Sequence, residues 1–204
     1  FGESHGPFMG VVIDGMPPRL DVSVSDLHEL LLRRAPGQLQ GTTDRKEEDL
    51  PQIISGVFEG KTLGSPIAVL IANKNQISSD YDALKGQYRA GHADKTYELK
   101  YGIRDHRGGG RSSGRETVAR VIGGYFASLI IPSVSIRTFI LKASDAEYVS
   151  VEESMNPKWQ STLFGQQQNA YGLLSKNAED QFVEKLQQYK VNGDSFGGVL
   201  GVMI

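Results

Sequence analysis

Apolar and polar positions alternate in some stretches of the chain and recur at helical spacing in others. Gly10-Val-Val-Ile-Asp14 reads as a strand, ended by Gly15 and the Pro17-Pro18 pair. Ser25 is the expected N-cap of a helix with Asp26 in its first turn. Leu27, Leu30 and Leu31 follow at helical spacing until Ala35-Pro36-Gly37 stops the run. Residues 53–59 and 67–72 read as strands, and 96–101 as a short helix. The strongest helical pattern runs over 113–131, with Val118, Val121, Ile122, Tyr125, Phe126 and Leu129 on one face. Gly123-Gly124 in that helix costs about 1 kcal/mol per glycine relative to alanine, so a close packing neighbour is expected there. Residues 134–142 alternate like a half-buried strand, 145–177 read as irregular insertion or loop, 178–189 as an amphipathic helix and 198–204 as a final strand. The mixture is α+β, without the regular strand–helix repeat of a doubly wound sheet.

Composition narrows the function classes. The chain has 204 residues, enough for one sizeable core or two small ones. The net charge of −2 supplies no overall attraction to nucleic acid or to acidic membranes. The absence of cysteine removes disulfides, thiolate metal sites and cysteine nucleophiles, and fits a reducing, cytoplasmic compartment. We expect no metal site and no membrane partner, since no apolar run approaches the roughly 20 residues of a spanning helix. Phe1 in first position and the apolar run Gly197-Gly-Val-Leu-Gly-Val-Met-Ile204 suggest a fragment lacking residues at both ends.

Charge is unevenly spread. Between Arg89 and Arg120 eight basic residues face four acidic ones. A solvated basic face would explain that excess, but the order of residues points to an anion seat. Arg107-Gly-Gly-Gly-Arg111-Ser-Ser113 leads into the long helix. Three glycines let backbone approach a ligand, a helix start offers N–H groups and partial positive charge, and Arg111, Ser112 and Ser113 add donors. The spacing is not that of a Walker A loop. Further arginines stand at Arg33-Arg34 and Arg45. His5 and His92 lie on glycine-marked loops beside polar residues, where a group titrating near neutrality is useful. His28 falls on the leucine-rich helix as a boundary residue, and His106 precedes the glycine loop. Gly2-Glu-Ser-His-Gly6 matches the G-x-S-x-G pattern of a hydrolase nucleophile, but no strand precedes Ser4 and no helix follows it, so a serine hydrolase is set aside.

These segments together resemble the chorismate synthase family. The resemblance rests on Phe1-Gly-Glu-Ser-His-Gly6, Asp14-Gly-Met-Pro-Pro18, Arg33-Arg34-Ala-Pro-Gly37, Ser55-Gly-Val-Phe-Glu-Gly60, Asp80-Tyr81 and Gly91-His-Ala-Asp94. Its strongest parts are Lys100-Tyr-Gly-Ile-Arg104 and Arg107-Gly-Gly-Gly-Arg-Ser-Ser-Gly-Arg-Glu116, with Asp194-Ser-Phe-Gly-Gly198 matching again. It implies a layered β-α-β-α sandwich with antiparallel or mixed sheets and internal helices, as one domain over 1–204 lacking the family's C-terminal part. It implies elimination of phosphate from 5-enolpyruvylshikimate 3-phosphate to give chorismate. Reduced flavin mononucleotide (FMN) is the implied cofactor, lending an electron transiently, with NADPH as a source of reducing power. A small-molecule substrate and a homotetramer are implied, with no nucleic-acid partner.

By position, His5 resembles the histidine that protonates the leaving phosphate and His92 the one that stabilises the reduced ring. Arg34, Arg45 and Arg89 resemble substrate clamps, and Arg111, Ser112 and Ser113 the flavin-contacting segment. The pattern calls for no histidine at 106. Ala35 and Gln40 stand where many members carry arginine, Gly114 replaces a common alanine, and the family's later Arg-His-Asp motif is absent. The substrate carries two carboxylates and a phosphate of about −1.5 to −2, so a cationic site is required to seat it beside an anionic flavin. Two alternatives stay open: an RNA-binding module, suggested by Arg107-Gly-Gly beside Tyr97 and Tyr101, and a folded non-catalytic fragment.

Overall fold

The first alternating stretch forms strand β1 (Phe8–Ile13), followed by helix α1 (Val24–Arg34). In the computed structural model, residues 1–35, 48–74, 81, 83–165, 169 and 171–204 are described. Gln40 and Arg45 lie outside them. Two compact units form, one within residues 1–131 and one over Pro132–Ile204. The helix cap falls two residues earlier than expected: the Ser23 hydroxyl accepts from the Asp26 N–H, and Ser25 sits inside the first turn. The expected strand over 53–59 is split. Strand β2 (Pro51–Ser55) and strand β3 (Val57–Phe58) are separated at Gly56, whose φ of +81° and close approach to the Pro66–Ile67 backbone break the extended run. Strand β4 (Lys61–Thr62) closes a hairpin on β3 through Glu59 and Gly60, both left-handed as a two-residue hairpin turn requires.

Strand β5 (Ile67–Ala72) is the centre of an antiparallel sheet ordered β1–β5–β2. Its Ile67, Val69 and Ile71 are fully buried, while Ala68, Leu70 and Ala72 on the opposite face are half-buried. Helix α2 (Asp94–Tyr101) starts two residues before its expected position. Two short 3-10 turns, Gly110–Ser112 and Gly114–Glu116, precede helix α3 (Thr117–Ile130). The glycine loop therefore does not run straight into the long helix. Val118, Ile122, Tyr125 and Phe126 of α3 meet Leu27 and Leu31 of α1 and the buried face of β5. Each such aliphatic side chain contributes about 1.5–3 kcal/mol by leaving water. The Tyr125 hydroxyl donates to the Ser23 carbonyl (3.0 Å) and accepts from the Ser23 N–H (2.7 Å), pinning α3 to the start of α1. Among the described residues the neighbour expected at Gly123-Gly124 is not found: a Cβ at either position meets none of them within 4 Å.

The second unit pairs strand β6 (Arg137–Ala143) with strand β7 (Ala146–Glu147) and strand β8 (Gly198–Met203), again antiparallel. Residues 145–177 are not an irregular loop. They include helix α4 (Val151–Ser154), capped by the Ser150 hydroxyl, and helix α5 (Pro157–Gly165), whose Trp159 stands edge-on to Phe139 at 4.8 Å. Buried Leu163 and Leu173 show that this stretch contributes to a core. Helix α6 (Lys176–Val191) follows, longer than expected at both ends. The class is α+β, and every described strand pairing is antiparallel.

Candidate functional site

The turn before β1 carries His5, and Asn73 at the end of β5 holds that turn. Asn73 Nδ2 donates to the carbonyls of Glu3 (3.2 Å) and Gly6 (2.8 Å), and its N–H donates to Pro7 O (3.0 Å). His5 is buried and lies edge-on to Tyr81, with ring centroids 5.0 Å apart. Since Ser4 sits on a turn leading into a strand, the hydrolase geometry is absent, as expected.

The glycine loop closes over this turn. Gly108 has φ +59°, and a Cβ on it would lie 2.3 Å from His5 Cδ2; Gly109 has φ +84°, with its Cβ position 3.0 Å from Arg89 Nη2. The conformational freedom expected to serve a ligand thus also brings backbone onto His5 and Arg89. The Ser4 N–H donates to Gly110 O (3.3 Å), and Arg111 Nη1 donates to Gly2 O (2.9 Å). Ser112 Oγ donates to Gly109 O (2.7 Å), and Ser113 Oγ accepts from the Arg115 N–H (3.3 Å).

Arg89 is oriented before any ligand arrives. Its Nε and Nη2 hold the two oxygens of Asp94 at 3.0 Å each, and its N–H adds a bond of 3.1 Å. Those bonds from Arg89 lower the Asp94 carboxyl to about 2, against the opposing effect of burial. The Arg89 guanidinium also lies 5.8 Å from the Tyr81 ring centroid. Arg34 is fixed by two bonds, Nε to Thr117 Oγ1 (3.1 Å) and Nη1 to Asp49 Oδ2 (2.9 Å). His92 is exposed, and its Nδ1 lies 3.0 Å from Ala90 O. A carbonyl only accepts, so Nδ1 carries hydrogen and Nε2 is the ring nitrogen left to act outward.

The basic stretch is divided: Lys95, Lys100 and Arg120 face solvent, while Arg89, Arg104 and Arg115 turn inward. Each of its six arginines has an acidic partner: Arg89 and Arg104 with Asp94, Arg107 with Asp105, Arg111 and Arg120 with Glu116, Arg115 with Asp49. The side chains of Arg104, Arg115 and Arg89 are only 6%, 7% and 17% exposed. That inward engagement does not favour an RNA-binding surface. A cavity of about 590 Å³ runs along the glycine loop and α2, with Tyr97, Tyr101, Ile103, Arg107, Arg111 and Ser112 among its walls. His106 also lines it.

His5, Arg89 and Arg111 are thus brought together around one loop, with Arg34 joined through Asp49. Sequence reasoning missed Asp49, Asn73, Asp94 and Tyr81 as members of the site. Asp94 and Tyr81 lay inside quoted motifs; Asp49 and Asn73 gave no local signal.

A family model described as "Chorismate synthase" matches residues 1–204. The chain is 46% identical over 203 residues to a chorismate synthase of Rippkaea orientalis, covering 98% of this chain and 54% of that protein. It is 54% identical over 140 residues to one of Sphingopyxis alaskensis, covering 69% of this chain and 39% of that protein. A solved structure titled "Crystal Structure of Chorismate Synthase" superposes with a TM-score of 0.72 at 28% identity, over 99% of this chain and 56% of that one. The chain spans about half the length of the Rippkaea orientalis protein and of the solved chain.

Proposed function

The chain belongs to the chorismate synthase family, and from that premise we propose that the full protein is a carbon–oxygen lyase of the shikimate pathway. It eliminates phosphate and a ring proton from 5-enolpyruvylshikimate 3-phosphate, giving chorismate for aromatic amino-acid biosynthesis. The observation that carries this reading is the closure of the glycine loop on both His5 and Arg89, which brings an imidazole and a cation from distant segments to the same loop.

The donor set suits FMN. Its phosphate needs cationic and hydroxyl donors, which Arg111 and Ser113 supply, and Ser112 as well once its hydroxyl turns from the Gly109 carbonyl. Its ring system needs flat, largely apolar walls, and the neighbouring cavity carries two tyrosine rings and has a volume ordinary for a cofactor pocket of roughly 300–1,000 Å³. When bound, the reduced flavin supplies transient electron donation that weakens the C–O bond to phosphate.

The chain's own residues do the rest. Arg34, Arg45 and Arg89 hold the phosphate and carboxylates, offsetting their repulsion and stabilising charge that builds on the departing oxygen. Arg89 does so at little ordering cost, because Asp94 already fixes its plane. Protonated His5 hands its proton to the bridging oxygen of the leaving phosphate. His92, with Nδ1–H held by Ala90 O, offers Nε2–H in its imidazolium form to offset negative charge on the reduced ring. We assign both units to one domain over 1–204, with NADPH as the flavin's reductant and the protein as a cytoplasmic homotetramer.

The test is anaerobic assay of the full-length protein with dithionite-reduced FMN and 5-enolpyruvylshikimate 3-phosphate. Stoichiometric release of phosphate and chorismate is expected, and its absence in folded protein refutes the proposal. Salt-dependent RNA binding without flavin binding would favour the nucleic-acid alternative instead.

A further inference from the structure

Asp49 lies just before β2, and its side chain has no exposure to solvent. Its backbone has φ +44°, in the left-handed region that aspartate tolerates better than most residues. Oδ2 accepts from Arg34 Nη1 at 2.9 Å, and Oδ1 accepts from Arg115 Nη1 at 2.5 Å. Arg115 turns its Nε to Asn73 Oδ1 at 3.0 Å. Asn73 Nδ2 in turn holds the carbonyls of Glu3 and Gly6, on either side of His5. A continuous hydrogen-bonded line therefore runs from Arg34 through Asp49, Arg115 and Asn73 to the turn that carries His5.

Two features of this line go beyond holding the fold. One buried carboxylate holds two guanidiniums from different segments, so a single anion orders both cations beside a site that receives anions. Arg34 is also fixed at two nitrogens by groups from different segments, Thr117 at the start of α3 and Asp49 before β2, so its plane cannot swing without breaking one bond.

We propose that Asp49 is a positioning residue for the reaction: it sets the direction of Arg34 and, through Arg115 and Asn73, the placement of His5. This rests on the reading that Arg34 and His5 act on the phosphorylated substrate. Asparagine cannot replace it, since an amide NH2 would point a donor at a guanidinium donor.

The test uses full-length protein under anaerobic conditions with reduced FMN and 5-enolpyruvylshikimate 3-phosphate, comparing D49N and N73A with R34A and H5A. D49N is expected to raise KM for the phosphorylated substrate about tenfold or more, because a misaimed cation loses binding. Its Kd for reduced FMN, read by direct titration, stays within about twofold. N73A leaves the Arg34–Asp49 bond in place; it is expected to lower kcat about tenfold, keep KM within about threefold, and shift the acid limb of the kcat–pH profile.

Folded D49N with unchanged KM overturns the proposal. So does a loss of turnover and flavin affinity that merely follows the fall in melting temperature in both variants. If D49N does not fold, N73A decides, and an unchanged kcat and pH profile overturns the proposal. R34A and H5A without effect on turnover would refute the proposed reaction itself, whereas large effects there with none in D49N and N73A refute this inference alone.

Discussion

Arg115 and Arg120 stand five residues apart at the start of helix α3, and the fold treats them in opposite ways. Arg115 is 7% exposed and bonded to a fully buried carboxylate 66 residues away. Arg120 is 73% exposed and bonded to Glu116, one turn before it. The two are the same side chain making the same type of bond. The difference lies in what replaces the bond when it is lost: water at Arg120, and an under-compensated interior charge at Arg115. The site is built on bonds of the second kind, because only those hold a side chain to one direction.

The largest effect is therefore expected from Arg115→Ala. It leaves Asp49 with one guanidinium instead of two, removes the acceptor-paired donor from Asn73, and opens a cavity beside the His5 turn. A loss of about 3 kcal/mol is expected, in the range for breaking a buried pair from one side. Urea unfolding measures it directly, and a loss below about 1 kcal/mol would place Arg115 in the same class as Arg120.

A pH scan sharpens the comparison at a second buried pair. The Asp94 carboxyl is lowered from 3.8 to about 2 by the hydrogen bonds from Arg89. A carboxyl lowered on folding contributes stability that is fully present above its unfolded value near 3.8. That contribution is lost as pH falls through about 2. The shift corresponds to about 2 kcal/mol. Wild-type stability should therefore decline between pH 4 and 2, and Asp94→Asn should be less stable at pH 7 but flatter across that window. Equal slopes in the two proteins would show that the Arg89 bonds do not set this dependence.

How much of this was legible depended on the range over which each residue finds its partner. The apolar face of α3 is a local periodicity, and Val118, Ile122 and Phe126 are buried as expected; 67–72 read as a strand, but its continuous apolar run did not say that Ile67, Val69 and Ile71 form the buried face. His5, Arg89 and the glycine loop carried short motifs, and the loop's freedom has a visible purpose at Gly108 and Gly109. Asp49 and Asn73 could not be read, because their meaning comes from Arg115, 66 and 42 residues distant. Residues 145–177 were missed for another reason. Their helices are short and bury few side chains, so no apolar period stands out, although Ser150 three residues before Glu153 is a recognisable helix start.

The smallest effect is expected from Arg120→Ala, and its smallness is the informative part. The Glu116–Arg120 pair has the favourable order for positions four apart, acid first, and such pairs contribute about 0.3–0.5 kcal/mol. Against that, Arg120 lies in the first turn of α3, where a cation opposes the helix dipole by a comparable few tenths of a kcal/mol. Glu116 also keeps Arg111 as a partner at 3.4 Å, so its charge is not abandoned when Arg120 is removed. The terms nearly cancel, and the change in unfolding free energy should stay within about 0.5 kcal/mol, vanishing in 1 M salt where exposed charges are screened. A loss above about 1 kcal/mol that survives high salt would show that exposure does not separate the two arginines, and that the bonds at the helix start act as one network rather than as an interior clamp beside a surface pair.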